Sequence, residues 1–417
     1  MRQELQQADS LLLSEAAEIG ARRIFIDGVG RLVGDKTGPA DSRSAFHVLT
    51  EGLQRENLTA LLAVEASMLN GNILPLHEES IADTVIRLKM EETQRAVSRS
   101  IEIVKSRGQE FQMGRHTLRI INGQGLQVYR RVQSPRPHRE QQRELFHPER
   151  MTTGIPGLDE MVNGGYQTGS TTVVAGISGV GKSVMALQYM AEGIRQGQSC
   201  LMLTLDERVG QVIRNAGSIG LDFRQGIKDG LLRLEYDPPQ EIEVDVHFYR
   251  IEQLVEQLKP KRVVIDSLST YGSNLGTQGR VFRDFFHALV ALMKEHDIAA
   301  VYNHENPEML GMASMMGGFA MSSLVDNIIL LNWIEIADTF RLGMTVAKMR
   351  ANPVKRVTRE CEILDGKGMR VLPRELHPSR IDSALSNYGG LISRAPDRRP
   401  VYAPAETTEQ GSSDAAE

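Results

Sequence analysis

Eight consecutive residues constrain this chain more than any others: Gly176, Ile177, Ser178, Gly179, Val180, Gly181, Lys182 and Ser183. They satisfy G-x-x-x-x-G-K-[ST] at every required position. They stand between a β-branched run, Thr171 to Ala175, and a helix-compatible run, Val184 to Arg195. Strand, glycine turn and helix in that order make a phosphate cradle, because glycines let backbone N–H groups wrap the phosphates and the helix N-terminus adds favourable partial charge. Lys182 then reaches the β and γ phosphates of a nucleotide and Ser183 ligates Mg²⁺. Such a unit belongs in a mostly parallel, twisted α/β sheet with helices on both faces. Further short apolar runs at Cys200 to Leu205, Arg262 to Ile265, Ile298 to Tyr302, Ile328 to Trp333 and Leu342 to Lys348 extend it to about six to eight strands.

Three acids follow strands that should end at the same sheet edge as the cradle. Asp266 closes VVID, where a phosphate-loop protein places the acid that holds Mg²⁺ through water. Alone, an apolar strand ending in Asp is common; beside the loop it favours a metal role. Asp206 and Glu207 follow the next strand, where a carboxylate can polarise a water or take the proton from an attacking hydroxyl. Acids also suit the first turn of a solvated helix, which Val209 to Asn215 suggests, so both readings stand. Of the two, Glu207 is the better placed to act on water.

The two halves of the chain resemble each other. ARRIFIDGV at Ala21 to Val29 reads like KRVVIDSL at Lys261 to Leu268, and ESIADTVIRL around Asp83 like SSLVDNIILL around Asp326. IEIVKSRG, with Lys105 and Arg107, reads like MTVAKMRA, with Lys348 and Arg350, and paired-strand patterns follow both, INGQGLQVY and LDGKGMRVL. The offset is 239 at Asp27 and Asp266, and 243 at Asp83 and Asp326 and at Lys105 and Lys348. The reading is therefore a truncated first copy over 1–132, a Pro/Arg/Gln-rich linker over 133–150, a complete copy over 151–378 and a disordered acidic tail over 379–417. The first copy has no counterpart of Met151 to Gln240, hence no phosphate loop and no acidic pair, and Asp27 has no cradle to serve. Either the sequence begins downstream of the true N-terminus, which is the favoured expectation, or a half-domain persists as a platform whose strands pair with something else. Half such a sheet leaves open edges and exposed apolar surface.

Composition narrows the classes. Lys and Arg number 48 against 53 Asp and Glu, a net charge of −5 that gives no global attraction to nucleic acid. Only two cysteines are present, Cys200 and Cys361, too few for a disulfide framework or a four-cysteine zinc site, so a reducing cytoplasm is the expected compartment. No apolar run approaches the roughly 18–20 residues that span a bilayer, so no membrane role is expected.

GxxxLDxxxxGG at Gly154 to Gly165, the phosphate loop, the acidic pair followed by QVIRNAGSIGLDF, VVIDSLS and the KMR triplet together resemble the KaiC-like family, circadian-clock ATPases of the RecA superfamily. The resemblance covers roughly Gly154 to Pro373, with the second half of a preceding copy over Ala21 to Arg131. DNIILLNWIEI and AKMR follow the wording of that family's second, autokinase domain. The resemblance implies ATP and Mg²⁺ as ligands and a homo-oligomer, a hexameric ring with ATP between subunits. Lys348 and Arg350 would act in trans, an arginine-finger arrangement at a neighbour's γ-phosphate. Without the family, Lys-x-Arg at a strand end is an ordinary solvated face. Asn303, after Ile298 to Tyr302, matches a polar sensor position, although a strand-ending Asn in a turn reads equally well.

That second domain also phosphorylates an adjacent Ser-Thr pair, and Ser322 and Ser323 occupy those positions. Gly317 stands where the family has a further Thr, and capping of the next strand would also explain the two serines. The expectation is a Mg²⁺-dependent ATPase with serine/threonine autokinase activity, working as a signalling or timing ring. Response-regulator or histidine-kinase-type partners follow by family analogy only. Alternatives are an ATPase scaffold without kinase activity and a RecA/RadA-like DNA-dependent ATPase. Against the last, Asn306 to Ser323 is rich in Met and Gly without Lys or Arg, and the cysteine cluster of the RadA-type relatives is absent.

Overall fold

A computed structural model describes residues 11–29, 39–65, 68–69, 72–73, 78–93, 96–133, 149–239, 243–275, 280–305, 323–336, 339–350 and 355–376. The chain divides into two compact units, Met1–Arg131 and Val132–Glu417.

The first unit has a parallel pair, β1 (Arg23–Ile26) and β2 (Thr59–Leu62), a short antiparallel pair, β3 (Met68–Leu69) and β4 (Asn72–Ile73), and a four-stranded antiparallel sheet. Its strands are β5 (Thr84–Thr93), β6 (Ala96–Ser106), β7 (Arg115–Ile121) and β8 (Gly125–Tyr129), in that order. Helices α1 (Leu11–Glu18) and α2 (Pro39–Arg55) contribute Leu13, Phe46, Leu49 and Leu53 to a small core with Ile26 and Val29.

The second unit is built on one nine-stranded sheet in the order β13-β12-β14-β15-β11-β16-β17-β18-β19. At its centre lies β11 (Thr171–Gly176), buried at every position, flanked in parallel by β15 (Ala299–Glu305) and β16 (Asn327–Ile336). A strand covered on both faces needs a continuous β-branched and apolar run rather than an alternating one, and TTVVAG is such a run. Beyond β15 lie β14 (Arg262–Asp266), β12 (Cys200–Thr204) and β13 (Leu232–Tyr236), all parallel. Beyond β16 the sheet turns antiparallel through β17 (Thr339–Met349), β18 (Thr358–Leu364) and β19 (Gly368–Leu376).

One face carries α3 (Lys182–Arg195), whose Met185, Ala186, Tyr189 and Met190 pack with Val264, Val301, Ile329 and Leu331. The other carries α4 (Arg280–Glu295), whose Phe282, Phe285, Phe286, Leu289 and Met293 recur at helical spacing and meet Val263, Ile265, Ala300 and Tyr302. Helices on both faces of a mostly parallel sheet are therefore present.

Two details differ from the sequence reading. Nine strands form rather than about six to eight, because LRLEY (β13) and the hairpin β18–β19 join the sheet at its two ends. In β13 Leu232 and Leu234 are buried while Arg233 faces solvent, a short alternation with little apolar content to announce it. The last strand also passes Pro373, where the resemblance stops: β19 runs on to Leu376, inside the expected bounds of the copy, since the last strand in the sheet, irregular in register there, tolerates a residue without an N–H. Most of the expected linker lies outside the described residues, and Arg150, at its end, already pairs within β9 (Arg150–Met151) against β10 (Tyr166–Gln167). The tail over 379–417 lies wholly outside them.

Bonds made within the first unit are repeated within the second at the 243-residue offset. Arg107 N–H donates to the Asp83 carbonyl and its Nη2 to the Ser80 carbonyl; Arg350 makes the same two bonds to Asp326 and Ser323. The pairing of β5 with β6 slips between Val85 and Ile86, and that of β16 with β17 between Ile328 and Ile329. At offsets of 239 and 240 residues, the parallel pair β1–β2, with Arg23 opposite Thr59, corresponds to β14–β15, with Arg262 opposite Ala299.

Candidate nucleotide site

Four neighbouring strands deliver their C-terminal ends to one sheet edge, and the glycine turn, Asp206, Glu207, Asp266 and Asn303 sit there. From β11 the chain enters the glycine turn. Gly179 and Gly181 adopt φ of 75° and 99°, which disfavour any residue with a Cβ. A Cβ on Gly181 would also lie 2.7 Å from Ile363 Cδ1 and Met369 Cε, and one on Gly176 2.5 Å from the Leu331 carbonyl. The backbone is thus held in an open cradle at the N-terminus of α3, and only glycine fits. Lys182 Nζ donates to the carbonyls of Gly176 (2.9 Å) and Ile177 (2.7 Å). Burial pushes its pKa down, while the carboxylates of Glu305 and Asp266 act against that shift.

Asp266, at the end of β14, lies beside Ser183. Burial raises its pKa; Ser183 and Asn303 beside it, and the Lys182 charge, offset part of the rise. Asn303, one strand over in β15, is fully buried, and neither Oδ1 nor Nδ2 closes a hydrogen bond within the chain. A fully buried amide that closes no hydrogen bond of good geometry, beside the half-buried Asp266 carboxylate it helps keep ionised, is costly unless something polar is bound there.

Asp206 and Glu207 follow β12 and behave differently. Asp206 is exposed and accepts bonds from Ser267 Oγ (3.0 Å) and Thr270 Oγ1 (2.9 Å). Glu207 is half-buried, and its backbone is pinned by Thr204 Oγ1, which accepts from Glu207 N–H (3.1 Å) and donates to its carbonyl (3.0 Å). Asn215 Nδ2 donates to Glu207 Oε2 at 2.9 Å. Burial, and then the charges of Asp266 and Asp206, raise the Glu207 pKa, which makes it a stronger base than an ordinary carboxylate once ionised.

Lys348 and Arg350 lie elsewhere. They close β17, which runs antiparallel to β16, so they return to the edge where β11 begins at Thr171. Lys348 Nζ donates to the Val325 carbonyl (2.7 Å), and Arg350 Nη1 reaches Asp326 Oδ1 (3.3 Å). Asp326 also accepts from Thr171 N–H (3.0 Å), Thr171 Oγ1 (3.1 Å) and Lys294 Nζ (3.0 Å). The five steps of β11, at about 3.3 Å each, put roughly 17 Å between this cationic edge and the glycine turn. The two basic residues are therefore remote from the loop of their own chain. Exposed Ser323 stands beside them, with its carbonyl bonded to Arg350 (3.1 Å); Ser322 and Gly317 fall outside the described residues.

Sequence reasoning missed several contributors. Ser267 and Thr270 were visible in VVIDSLST, one and four residues after the metal-position acid. Thr204, Asn215 and Glu305 carry no local signal. His304, beside Lys182, has its pKa pushed down to about 4, chiefly by burial. Among the described residues no three His, Cys, Asp or Glu side chains cluster to hold a metal by themselves.

The sequence profile described as "ATPase: KaiC" matches residues 1–133 and 151–376. The chain belongs to the KaiC ATPase family. It is 31% identical over 352 residues to "Circadian clock protein KaiC3" of Synechocystis sp., covering 84% of this chain and 68% of that protein. It is 25% identical to "Circadian clock oscillator protein KaiC" of Acaryochloris marina, over 91% of this chain and 69% of the relative. To the protein of that name from Thermostichus vulcanus it is 26% identical, over 91% and 70%. The KaiC match in two segments separated at 134–150 accords with two units. The first unit carries Ala63 where the second has Asn303, so the polar residue beside the metal-position acid is not repeated. Among the described residues no helix is long and apolar enough to cross a membrane.

Proposed function

We propose that this KaiC-family chain, as a homo-oligomeric ring, binds ATP with Mg²⁺ through its second unit, hydrolyses it, and transfers the γ-phosphoryl group to Ser322 or Ser323 of a neighbouring copy, an autophosphorylation within the ring. The observation that carries the reading is the convergence of the glycine turn, Asp266, Asn303 and Glu207 at one edge of four parallel strands. The backbone N–H groups of Gly179 to Ser183 hold the β and γ phosphates, and Lys182 exchanges its bonds to the loop carbonyls for phosphate oxygens. Ser183 and Asp266, the latter through water, would hold Mg²⁺, which neutralises charge developing on the β and γ oxygens. Asn303 supplies the buried amide that has no partner within the chain. Glu207 takes the proton from the attacking water as its oxygen bonds to the γ phosphorus and the bond to the leaving ADP oxygen breaks.

Placement of Lys348 and Arg350 at the far edge supports the ring. They cannot serve their own phosphates, and a head-to-tail neighbour would present them to the next subunit's loop, where a cation can contribute about 10³–10⁵ in rate. Ser323 beside Arg350 favours the autokinase reading over a plain ATPase scaffold, since finger and phosphoacceptor would approach the neighbour's γ-phosphate together. Signalling or timing output, and response-regulator or histidine-kinase-type partners, rest on the family alone.

The test is incubation with γ-labelled ATP and Mg²⁺ followed by mass spectrometry. Lys182→Ala should lose both hydrolysis and incorporation, whereas Ser322→Ala with Ser323→Ala should lose incorporation only. A double variant that remains labelled refutes the phosphosites, and a fully active Lys182→Ala refutes the whole reading.

A further inference from the structure

A polar pair is buried in the aromatic core beneath α4. Among Ile251, Leu268, Phe285 and Leu289, His247 Nε2 meets the Tyr271 hydroxyl at 2.5 Å, and both side chains are buried. Burial pushes the His247 pKa down to about 4 and that of Tyr271 up, so the ring is neutral and the phenol keeps its proton. A neutral ring carries one hydrogen, and the Asp237 carboxylate, with Oδ2 3.1 Å from Nδ1, draws it to Nδ1 by charge, although Oδ2 closes no hydrogen bond of good geometry. Nε2 then accepts from Tyr271. Apolar packing alone tolerates small sliding between helices, whereas a buried hydrogen bond is satisfied in one arrangement.

Tyr271 belongs to the helix Leu268–Leu275, whose first turn reaches the nucleotide edge on two sides. Thr270 Oγ1, with Ser267 Oγ just ahead of the helix, donates to Asp206 at 2.9 and 3.0 Å, while Ser269 Oγ accepts from Glu305 N–H at 2.5 Å, two residues after Asn303. His247 leads back to the same edge from behind. It lies in the helix Val244–Leu258, where Arg250 bonds both Asp237 and Glu235. Asp237 N–H donates to the Thr204 carbonyl at 3.1 Å, and Thr204 pins the backbone of Glu207. The contacts close a circuit from Glu207 through Thr204, Asp237, His247 and Tyr271 to Thr270 and Asp206. At the 239-residue offset the first unit carries Gly28, Arg31 and Leu32 in place of Ser267, Thr270 and Tyr271, and residues 1–132 hold no phosphate loop.

We propose that His247 and Tyr271 are positioning residues for ATP hydrolysis: their bond fixes the seat of the helix Leu268–Leu275, and the circuit through it holds Asp206 and Glu207 in one relative placement. With Glu207 as the base, a role that rests on the ATPase reading above, the pair acts without touching nucleotide or metal. Asp206 is exposed, so a shift of the helix releases its carboxylate to solvent and removes a charge from beside Glu207. A misplacement of about 1 Å at a reacting group can cost about 10²-fold in rate.

The test is steady-state ATP hydrolysis by the full chain. Tyr271→Phe keeps the ring and deletes the hydroxyl. It should lower kcat at least tenfold while KM for ATP changes less than twofold, because the cradle on α3 lies outside the circuit. In a Ser267→Ala, Thr270→Val background, where the helix no longer holds Asp206, Tyr271→Phe should cost less than a further twofold; the full tenfold there overturns the proposal, as does an unchanged kcat in Tyr271→Phe alone. Tyr271→Phe also strands His247 in the core, whereas His247→Phe with Tyr271→Phe removes both polar groups and should bring the denaturation midpoint back toward that of the unmutated chain. That double variant should stay slow. Recovery of kcat along with the midpoint shows a packing role and overturns the proposal. Glu207→Gln separates the two layers: if it is inactive while Tyr271→Phe is fully active, only the positioning role fails, and if it stays active the base assignment fails and the positioning role with it.

Discussion

If the cationic edge acts only on a neighbour, a defect in the loop and a defect in the finger should complement each other. Lys182→Ala removes the cradle's cation and Arg350→Ala the finger, and the two lie roughly 17 Å apart along β11 in any one chain. Each variant alone offers every interface one broken half. In rings reassembled from equal amounts of both, about one quarter of interfaces join an intact loop to an intact finger, as follows from random placement around a cyclic assembly. Activity per subunit should therefore return to about a quarter of the unmutated value, against losses on the order of 10³ or more for Arg350→Ala alone. Folding does not explain such a loss: the Arg350–Asp326 contact is 3.3 Å long with the arginine half-exposed, a pair contributing about 0.2–1 kcal/mol. The assay is steady-state phosphate release before and after mixing under conditions that let subunits exchange, with ring size followed by light scattering. Intact rings without recovery on mixing would refute action in trans. Arg350→Ala retaining activity within tenfold would refute the finger itself.

The acid limb of the ATPase pH profile should lie above the ordinary carboxylate range, because a base with a raised pKa stays protonated, and inactive, to higher pH. Asn215→Ala removes the bond that stabilises ionised Glu207, so that limb should move further up; a profile that moves down shows that Glu207 is not the base. Asp326→Ala strips partners from the buried N–H and hydroxyl of Thr171 and from Lys294. A loss of about 3–5 kcal/mol is expected in chemical denaturation, as for breaking a buried charged network from one side. Gly181→Ala forces a left-handed backbone on a residue with a Cβ 2.7 Å from Ile363 and Met369. A cost of about 1–3 kcal/mol together with loss of nucleotide binding should follow, read by thermal shift with and without ATP.

The glycine turn, the strands around it and the repeat were legible because each rests on a local pattern: fixed spacing, an apolar run or self-similarity. What those patterns could not supply is which sheet edge a residue occupies. Lys348 and Asp266 both end strands, and nothing near them in sequence says that one strand runs opposite to the other; the antiparallel turn into β17 decides it. Asn303 was legible only as a strand-ending polar residue, since its unpartnered amide arises from burial between β11 and β14. Burial likewise separates Glu207 from Asp206, adjacent residues that differ in solvation and in partners. Among the described residues, the exposed apolar positions of the first unit show the same dependence in reverse. Phe25, Leu61, Ile86 and Leu88 are the residues a buried strand requires, and their alternation is indistinguishable from that of their covered counterparts. Sequence records the side chains that a core needs, whereas the covering element is fixed by whichever strand and helix lie against them.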